Sequence, residues 1–76
     1  MDDNAEILID ARGHHCPVPT LKLRRALAVA PAGARVRLIA DDPMARIDVP
    51  HFAGQAGVQV AASGEADGAF FFLIVK

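Results

Sequence analysis

The chain has 76 residues, a formal net charge of −1, and a composition that is 53% hydrophobic and 22% charged. These values predict one small folded domain, residues 1–76, rather than a disordered chain. The near-neutral charge argues against bulk electrostatic recognition of nucleic acid, so we expect no direct DNA binding. No apolar run reaches the roughly 20 residues needed to span a membrane, so we expect no membrane segment.

Cysteine usage bears on the cellular compartment. Cys16 is the one cysteine in the chain, so no internal disulfide can form and the fold needs no oxidising compartment. The acidic start, Met1-Asp2-Asp3-Asn4, is unlike the basic leader of a secretory signal. We therefore expect a cytoplasmic protein.

Hydrophobic periodicity predicts the element order β-α-β-α-β-β. Glu6 to Asp10 is the first predicted strand, and Gly13 lies in the turn that follows it. The first helix is predicted from about Pro17 to Ala30, because proline is tolerated in the first turn of a helix. Its core-facing stripe consists of Pro19, Leu23, Ala26, Leu27 and Ala30.

The opposite side of this helix mixes cations with aliphatic side chains. Such a mixture suggests a docking surface, although short solvated helices also carry single exposed aliphatic residues. The residues on this side are Val18, Leu21, Lys22, Arg24, Arg25 and Val29.

A second strand is predicted from Arg35 to Ala40, and a second helix from Pro43 to about Gln55. Asp42 is a good N-cap for that helix, because its carboxylate suits the positive end of the helix dipole. Pro50 interrupts the helix and predicts either a kink or a fresh start capped by Asp48. The remaining elements are a third strand (Val58 to Ala62), a turn (Ser63 to Gly68) and a fourth strand (Ala69 to Val75).

This order predicts an α/β (α+β) two-layer sandwich, with a mixed four-stranded sheet and both helices on one face. The fourth strand is apolar on both faces. Phe71, Leu73 and Val75 therefore leave an apolar surface on the open face, a feature of partner or self-association sites, unless Arg35 and Arg37 lie over it. We expect a monomer or a weak dimer.

The chemistry centres on Gly13-His14-His15-Cys16-Pro17-Val18-Pro19, where the first turn meets the first helix. The positive end of a helix favours a thiolate, and Arg12, His14 and His15 can add positive charge. A lone cysteine is otherwise a small buried hydrophobic residue. The polar turn and the helix start favour a reactive Cys16 over that alternative.

One thiol limits the possible reactions. It excludes an internal dithiol–disulfide cycle, and the chain is short for the cleft of a Cys-His hydrolase. His14, His15 and Cys16 are adjacent and lack the spacing usual for metal ligands, and His51 lies far along the chain, so we expect neither a metal nor a cofactor. A persulfide (Cys-S-S⁻) carried to the thiol of another protein fits a lone thiol best.

The chain resembles the TusA family of sulfur carriers, also called the SirA or YedF family. The resemblance rests on Asp10-x-x-Gly13-x-x-Cys16-Pro17-x-Pro19, Gly33, Ala40-Asp41-Asp42-Pro43 and Asp48-Val49-Pro50, and it covers nearly the whole chain. It implies a two-layer α/β sandwich of the same order, with Cys16 as the persulfide carrier. It also implies a cysteine desulfurase or rhodanese-like sulfur donor, and relay proteins that serve tRNA 2-thiouridine formation, molybdenum-cofactor supply or sulfur oxidation.

We expect a persulfide carrier of the sulfurtransferase type rather than an enzyme that turns over a small molecule. Asp42 enters the predicted site because it would lie near Cys16 if the ends of the first two strands are neighbours. The alternatives are a non-catalytic regulatory module, which would bind partners through the sheet face and first helix, and a metal carrier. The predicted partner-binding residues are Arg12, His15, Pro17, Pro19, Lys22, Arg24, Arg25 and Asp42.

Overall fold

The structure is a computed structural model that describes residues 6–15 and 18–76. Its elements follow the predicted order. They are β1 (Glu6–Asp10), α1 (Val18–Val29), β2 (Arg35–Ala40), α2 (Ala45–Ala56), β3 (Gln59–Ala66) and β4 (Ala69–Val75). No helix in the described ranges is long and apolar enough to cross a membrane.

The four strands form one mixed sheet in the order β1-β2-β4-β3. β1 and β2 are parallel, and β4 runs antiparallel to both of its neighbours. Side chains from α1 and α2 join one buried cluster with the inward-facing residues of β2 and β4. The structure therefore confirms the predicted two-layer α+β sandwich, with both helices on one face of the sheet.

The core is built on two neighbouring pairs of residues that lie opposite each other on β2 and β4. Val36 lies opposite Ile74 and Leu38 lies opposite Phe72 in the β2–β4 register, and all four side chains are buried. Each such burial stabilises the fold by about 1.5–3 kcal/mol. The predicted stripe of α1 faces this cluster: Pro19, Leu23, Leu27 and Ala30 are buried, and Ala26 packs against the cluster while half-buried.

Helix α2 differs from its prediction. It runs without interruption through Pro50, so the predicted fresh start is wrong and Asp48 lies in the first turn rather than at a second cap. Pro50 removes only the hydrogen bond to the carbonyl of Arg46. Val49 and Phe52 are buried on either side of Pro50, and their packing holds both halves of the helix on the sheet.

The β3–β4 hairpin also differs from its prediction. β3 extends to Ala66, so the connection to β4 consists of the two residues Asp67-Gly68 instead of the predicted six. Both residues have positive φ, 54° and 78°, as a two-residue hairpin turn of type I′ requires. The small residues of β3 have weak strand propensity, but pairing with the aromatic and branched residues of β4 outweighs it.

The open face of the sheet carries an ion-pair network. Arg37 Nε donates to Glu6 Oε1 at 3.0 Å and Arg35 Nη2 donates to Glu6 Oε2 at 3.4 Å, so both arginines reach toward β1. The hydrogen bond from Arg37, followed by the positive charges of Arg37 and Arg35, holds the pKa of Glu6 below its ordinary value. Both arginines therefore form ion pairs with Glu6. The apolar residues of β4 on the same face of the sheet are half-buried, namely Phe71, Leu73 and Val75.

The C-terminal end of α1 is capped from a distant part of the chain. Lys76 Nζ donates to the carbonyl oxygens of Leu27 and Ala30, both at 2.6 Å. The last turn of α1 contains no basic residue of its own. Lys76 thus supplies the cation that the negative end of a helix favours.

Gly64 provides a test of the hairpin packing. A Cβ at this position would lie 2.6 Å from the ring of Phe71, so Gly64→Ala must displace the ring. We expect Gly64→Ala to lower the free energy of unfolding by about 1–3 kcal/mol in urea denaturation. Gly54→Ala is the control, because the helical Gly54 has nothing within 4 Å, and it should raise stability by about 0.5–1 kcal/mol.

The cost of Gly64→Ala should largely disappear in a Phe71→Leu background, because the smaller side chain leaves room for the added methyl group. Equal costs in both backgrounds would contradict the packing explanation.

Candidate functional site

The loop between β1 and α1 is fixed to the end of β2. Because β1 and β2 are parallel, their carboxyl ends lie at the same edge of the sheet. Ala11 N–H donates to the carbonyl of Ile39 at 2.7 Å, and Gly13 N–H donates to both carboxylate oxygens of Asp41 at 3.1 Å. This carboxylate therefore joins two loops that are far apart in sequence.

Gly13 is suited to this contact by its backbone. Its φ of 84° lies in the left-handed region, where a side chain would be strained. His14 N–H donates to the carbonyl of Ala11 at 3.2 Å and closes the turn around Gly13. The glycine of the sequence motif thus lets the turn present an N–H to Asp41.

Arg12 is held by Asp10 at the base of the loop. Arg12 Nε donates to Oδ1 at 2.9 Å, Nη2 donates to Oδ2 at 2.8 Å, and the Arg12 backbone N–H donates to Oδ1 at 3.1 Å. The side-chain hydrogen bonds, and then the backbone one, lower the pKa of Asp10 from 3.8 to about 2. The guanidinium is therefore fixed beside the loop rather than freely rotating.

His15, the residue before Cys16, lies near Asp42 on the loop after β2, whereas the predicted proximity of Asp42 to Cys16 falls outside the described residues. His15 Nδ1 lies 3.8 Å from Asp42 Oδ2, and the His15 side chain is 95% exposed. Met44 N–H donates to Asp42 Oδ1 at 3.0 Å, so Asp42 closes the turn that leads into α2, which begins three residues later at Ala45. The prediction that Asp42 is the N-cap of a helix starting at Pro43 is wrong, because the N-cap residue is Met44, which forms no side-chain cap hydrogen bond.

Cys16 and Pro17 lie outside the described residues, so the predicted roles of both remain predictions. The residues on either side are described: Val18 N–H donates to the carbonyl of His15 at 2.9 Å, and α1 begins at Val18. The first turn of α1 contains no acidic residue to offset the positive end of the helix. Thr20 Oγ1 is buried in that turn and has no hydrogen-bond partner among the described residues.

The other predicted partner-binding residues are placed differently from one another. Pro19 is fully buried, which agrees with the core-facing stripe and leaves its side chain unavailable for direct contact with a partner. Lys22 is half-buried, and its positive charge contributes to lowering the pKa of Asp10. Arg24 lies over the ring of Phe52 at 5.4 Å, so it faces α2, whereas Arg25 is exposed.

The sequence reading named Asp10 and Asp41 in its motifs but did not place them among the site residues. Asp10 ends β1 and Asp41 follows β2, and side chains at the carboxyl ends of parallel strands can reach the loops there. Applied to the sequence, this rule would have placed Asp10 and Asp41 among the site residues. Among residues 6–15 and 18–76, no three His, Cys, Asp or Glu side chains cluster as a metal site would require.

Comparison with known proteins identifies the family of the chain. Residues 7–76 match the family model described as "Sulfurtransferase TusA". The chain belongs to the TusA family. It is 38% identical over 68 residues to the sulfur carrier protein TusA of Allochromatium vinosum, with 90% of each chain covered.

Two further members of the family support the assignment. The chain is 35% identical to the sulfur carrier protein TusA of Pseudomonas syringae pv. syringae, covering 90% of this chain and 81% of that one. The crystal structure of a SirA-like protein from Desulfitobacterium hafniense superposes with a TM-score of 0.82 at 34% identity, covering 91% of this chain and 95% of that chain. The TusA resemblance seen in the sequence is therefore confirmed, together with the fold it implied.

The Asp10–Arg12 contact predicts a pH dependence. Because the pKa of Asp10 is lower in the folded state, its contribution to stability is complete above about pH 3.8 and is lost as the pH falls through about 2. A carboxyl-carbon NMR titration should show this low midpoint in the wild type. In Arg12→Gln the midpoint should move toward 3.8, whereas Arg25→Gln should leave it unchanged. An unmoved midpoint in Arg12→Gln would refute the assigned cause.

The Asp41–Gly13 contact predicts local protection of the loop. Asp41→Ala removes both acceptors of the Gly13 N–H, so we expect hydrogen exchange at this amide to accelerate at least about tenfold, given a net hydrogen-bond worth near 1.4 kcal/mol. Glu65→Ala, which removes an equally exposed carboxylate elsewhere, should leave the Gly13 amide unchanged. Equal exchange rates in the two variants would show that Asp41 does not hold the loop.

Proposed function

We propose that this chain is a sulfur carrier, which holds sulfane sulfur as a persulfide on Cys16 and passes it between partner proteins. One observation carries the proposal: a match to the TusA family over residues 7–76, in a chain whose single cysteine stands in the Cys-Pro-x-Pro motif. The curated relatives are named sulfur carrier proteins. The family match does not favour the regulatory alternative.

The transfer needs no cofactor and no net oxidation. The Cys16 thiolate attacks the terminal sulfur of a donor persulfide, a new S–S bond forms, and the donor thiolate leaves. An acceptor thiolate then attacks the terminal sulfur on Cys16, and Cys16 leaves as a thiolate. Each step exchanges one S–S bond for another, so the chain needs only to stabilise sulfur anions.

The surroundings of the motif support this anionic chemistry. The first turn of α1 has no acidic residue, so its free backbone N–H groups and helix dipole favour a negative charge at that end. Arg12 is ion-paired with Asp10, so the pair carries no net charge at neutral pH and the helix end is the main positive influence on this loop. The helix end favours the thiolate and the persulfide anion over their protonated forms.

We propose that partners approach the end of the sheet at which the carboxyl ends of β1 and β2 lie. Arg12, His15, Lys22, Arg25 and Asp42 are our candidates for direct contact, because none of them is fully buried and all belong to the loops or to α1. Their charges would meet complementary groups on a partner and steer its approach. Pro17, outside the described residues, stays a sequence-based candidate, and Arg24 contributes from the side that faces α2.

For the partners we propose a cysteine desulfurase or rhodanese-like donor and a downstream relay protein. Formation of tRNA 2-thiouridine, supply of the molybdenum cofactor and sulfur oxidation are the routes that the family resemblance implies. We propose that the relay operates in the cytoplasm, because a carrier with one reactive thiol needs no oxidising compartment.

Mass spectrometry tests the carrier function. After incubation with a cysteine desulfurase and cysteine, or with thiosulfate or polysulfide, the wild type should gain about 32 Da per sulfur, and reduction should remove the gain. Cys16→Ser should show no gain. Absence of an adduct with every one of these donors would rule out the proposal, and an adduct that survives in Cys16→Ser would rule out Cys16 as its site.

A further inference from the structure

The sheet has one long and poorly protected edge. β3 is an end strand, and among the described residues no backbone group outside β4 bonds to it as a strand partner. Edge strands are commonly guarded by lysine, proline or short length. β3 has eight residues, contains no lysine, arginine or proline, and is exposed over nearly its full length. Its register irregularity lies between Val60 and Ala62, so the part from Ala62 to Ala66 is regular.

A groove runs along this edge. It lies between β3 and α2, is floored by β4, and has a volume of about 290 Å³. Phe70 and Phe72 provide an aromatic floor, and Ser63 and Glu65 lie opposite them in the β3–β4 register. The residues that line it are Arg46, Pro50, Ser63, Gly64, Glu65, Phe70 and Phe72.

The groove contains polar groups available for a ligand. Arg46 lies over the ring of Phe70 at 5.7 Å, and neither Arg46 nor Glu65 forms an ion pair with a described residue. Pro50 has no N–H to donate to the carbonyl of Arg46, and residues four apart share a helix face. The Arg46 carbonyl therefore lacks the intrahelical hydrogen bond from residue 50, and both residues line the groove.

We propose that β3 and this groove bind an extended segment of a partner protein by strand addition. The free edge of β3 would pair with the main chain of the segment, and alternate side chains, about 7 Å apart, would enter the groove. The segment would place an apolar residue over the Phe70–Phe72 floor. It would place a basic residue opposite Glu65, because oppositely charged cross-strand neighbours stabilise pairing.

Charge complementarity separates this occupant from a second copy of the chain. Edge-to-edge pairing of two β3 strands would offer Glu65 no basic partner, since residues Gln59–Ala66 contain none. The apolar floor and the carboxylate are both satisfied by an alternating segment that carries a lysine or arginine. The proposal does not depend on the persulfide function of Cys16.

A peptide library provides the test. Selection of random decapeptides on phage against the full chain should enrich sequences that alternate apolar residues and include a basic one. Synthetic peptides from the selection should shift the backbone NMR signals of Ala62–Ala66 and of Arg46 in α2. The same shifts in Cys16→Ser would separate this site from the sulfur-transfer site. Failure to enrich any sequence, or shifts confined to other elements, would overturn the proposal.

Two β3 variants sharpen the test. Glu65→Lys should weaken the peptide affinity about threefold to tenfold, because it replaces an attraction with a repulsion. Gln59→Lys also places a lysine on this strand, but on the opposite face beside Val75, and should leave the affinity unchanged. Circular dichroism would verify that both variants fold.

Equal weakening in the two variants would overturn the assignment of the groove. Sedimentation equilibrium that shows a dimer broken by Glu65→Lys, with no peptide binding, would replace the partner segment with a second copy.

Discussion

The site depends on one contact, the hydrogen bond that the Gly13 N–H donates to the Asp41 carboxylate. Parallel pairing of β1 and β2 brings their following loops to the same edge, and this hydrogen bond joins the two loops there. Ala11 strengthens the junction through its bond to Ile39. Residues 11–13, which precede Cys16 in the chain, are therefore anchored to the sheet.

Charged side chains and the positive end of α1 lie around this junction. Asp10 neutralises much of the charge of Arg12 but fixes its position, whereas the first turn of α1 leaves its own positive end without an acid. A sulfur anion at that end gains from fixed dipoles, which require no reorganisation when the charge appears. The opposite end of α1 is balanced by Lys76, so the two ends of one helix are served by different segments of the chain.

Particular elements show how far the sequence can be read. The boundaries of β1, β2 and β4 and the buried stripe of α1 were predicted correctly, because hydrophobic alternation and helical spacing are local signals. Pro50 and β3 were misjudged for one shared reason. A proline within a helix and a strand of alanine, serine and glycine are both unfavourable locally, and only packing against the sheet and pairing with β4 decide in their favour.

The sequence by itself determined the family and the element order, because Cys-Pro-x-Pro and the later Asp-Asp-Pro are contiguous motifs and hydrophobic periodicity is a local signal. Its predictions that Cys16 is the reactive thiol and that Asp42 lies near it stay predictions. Only the tertiary structure decided that Asp41 accepts from Gly13, that Lys76 caps α1, and that a groove lies open beside β3. Each of these joins residues distant in sequence, and their spacing along the chain carries no periodic signal.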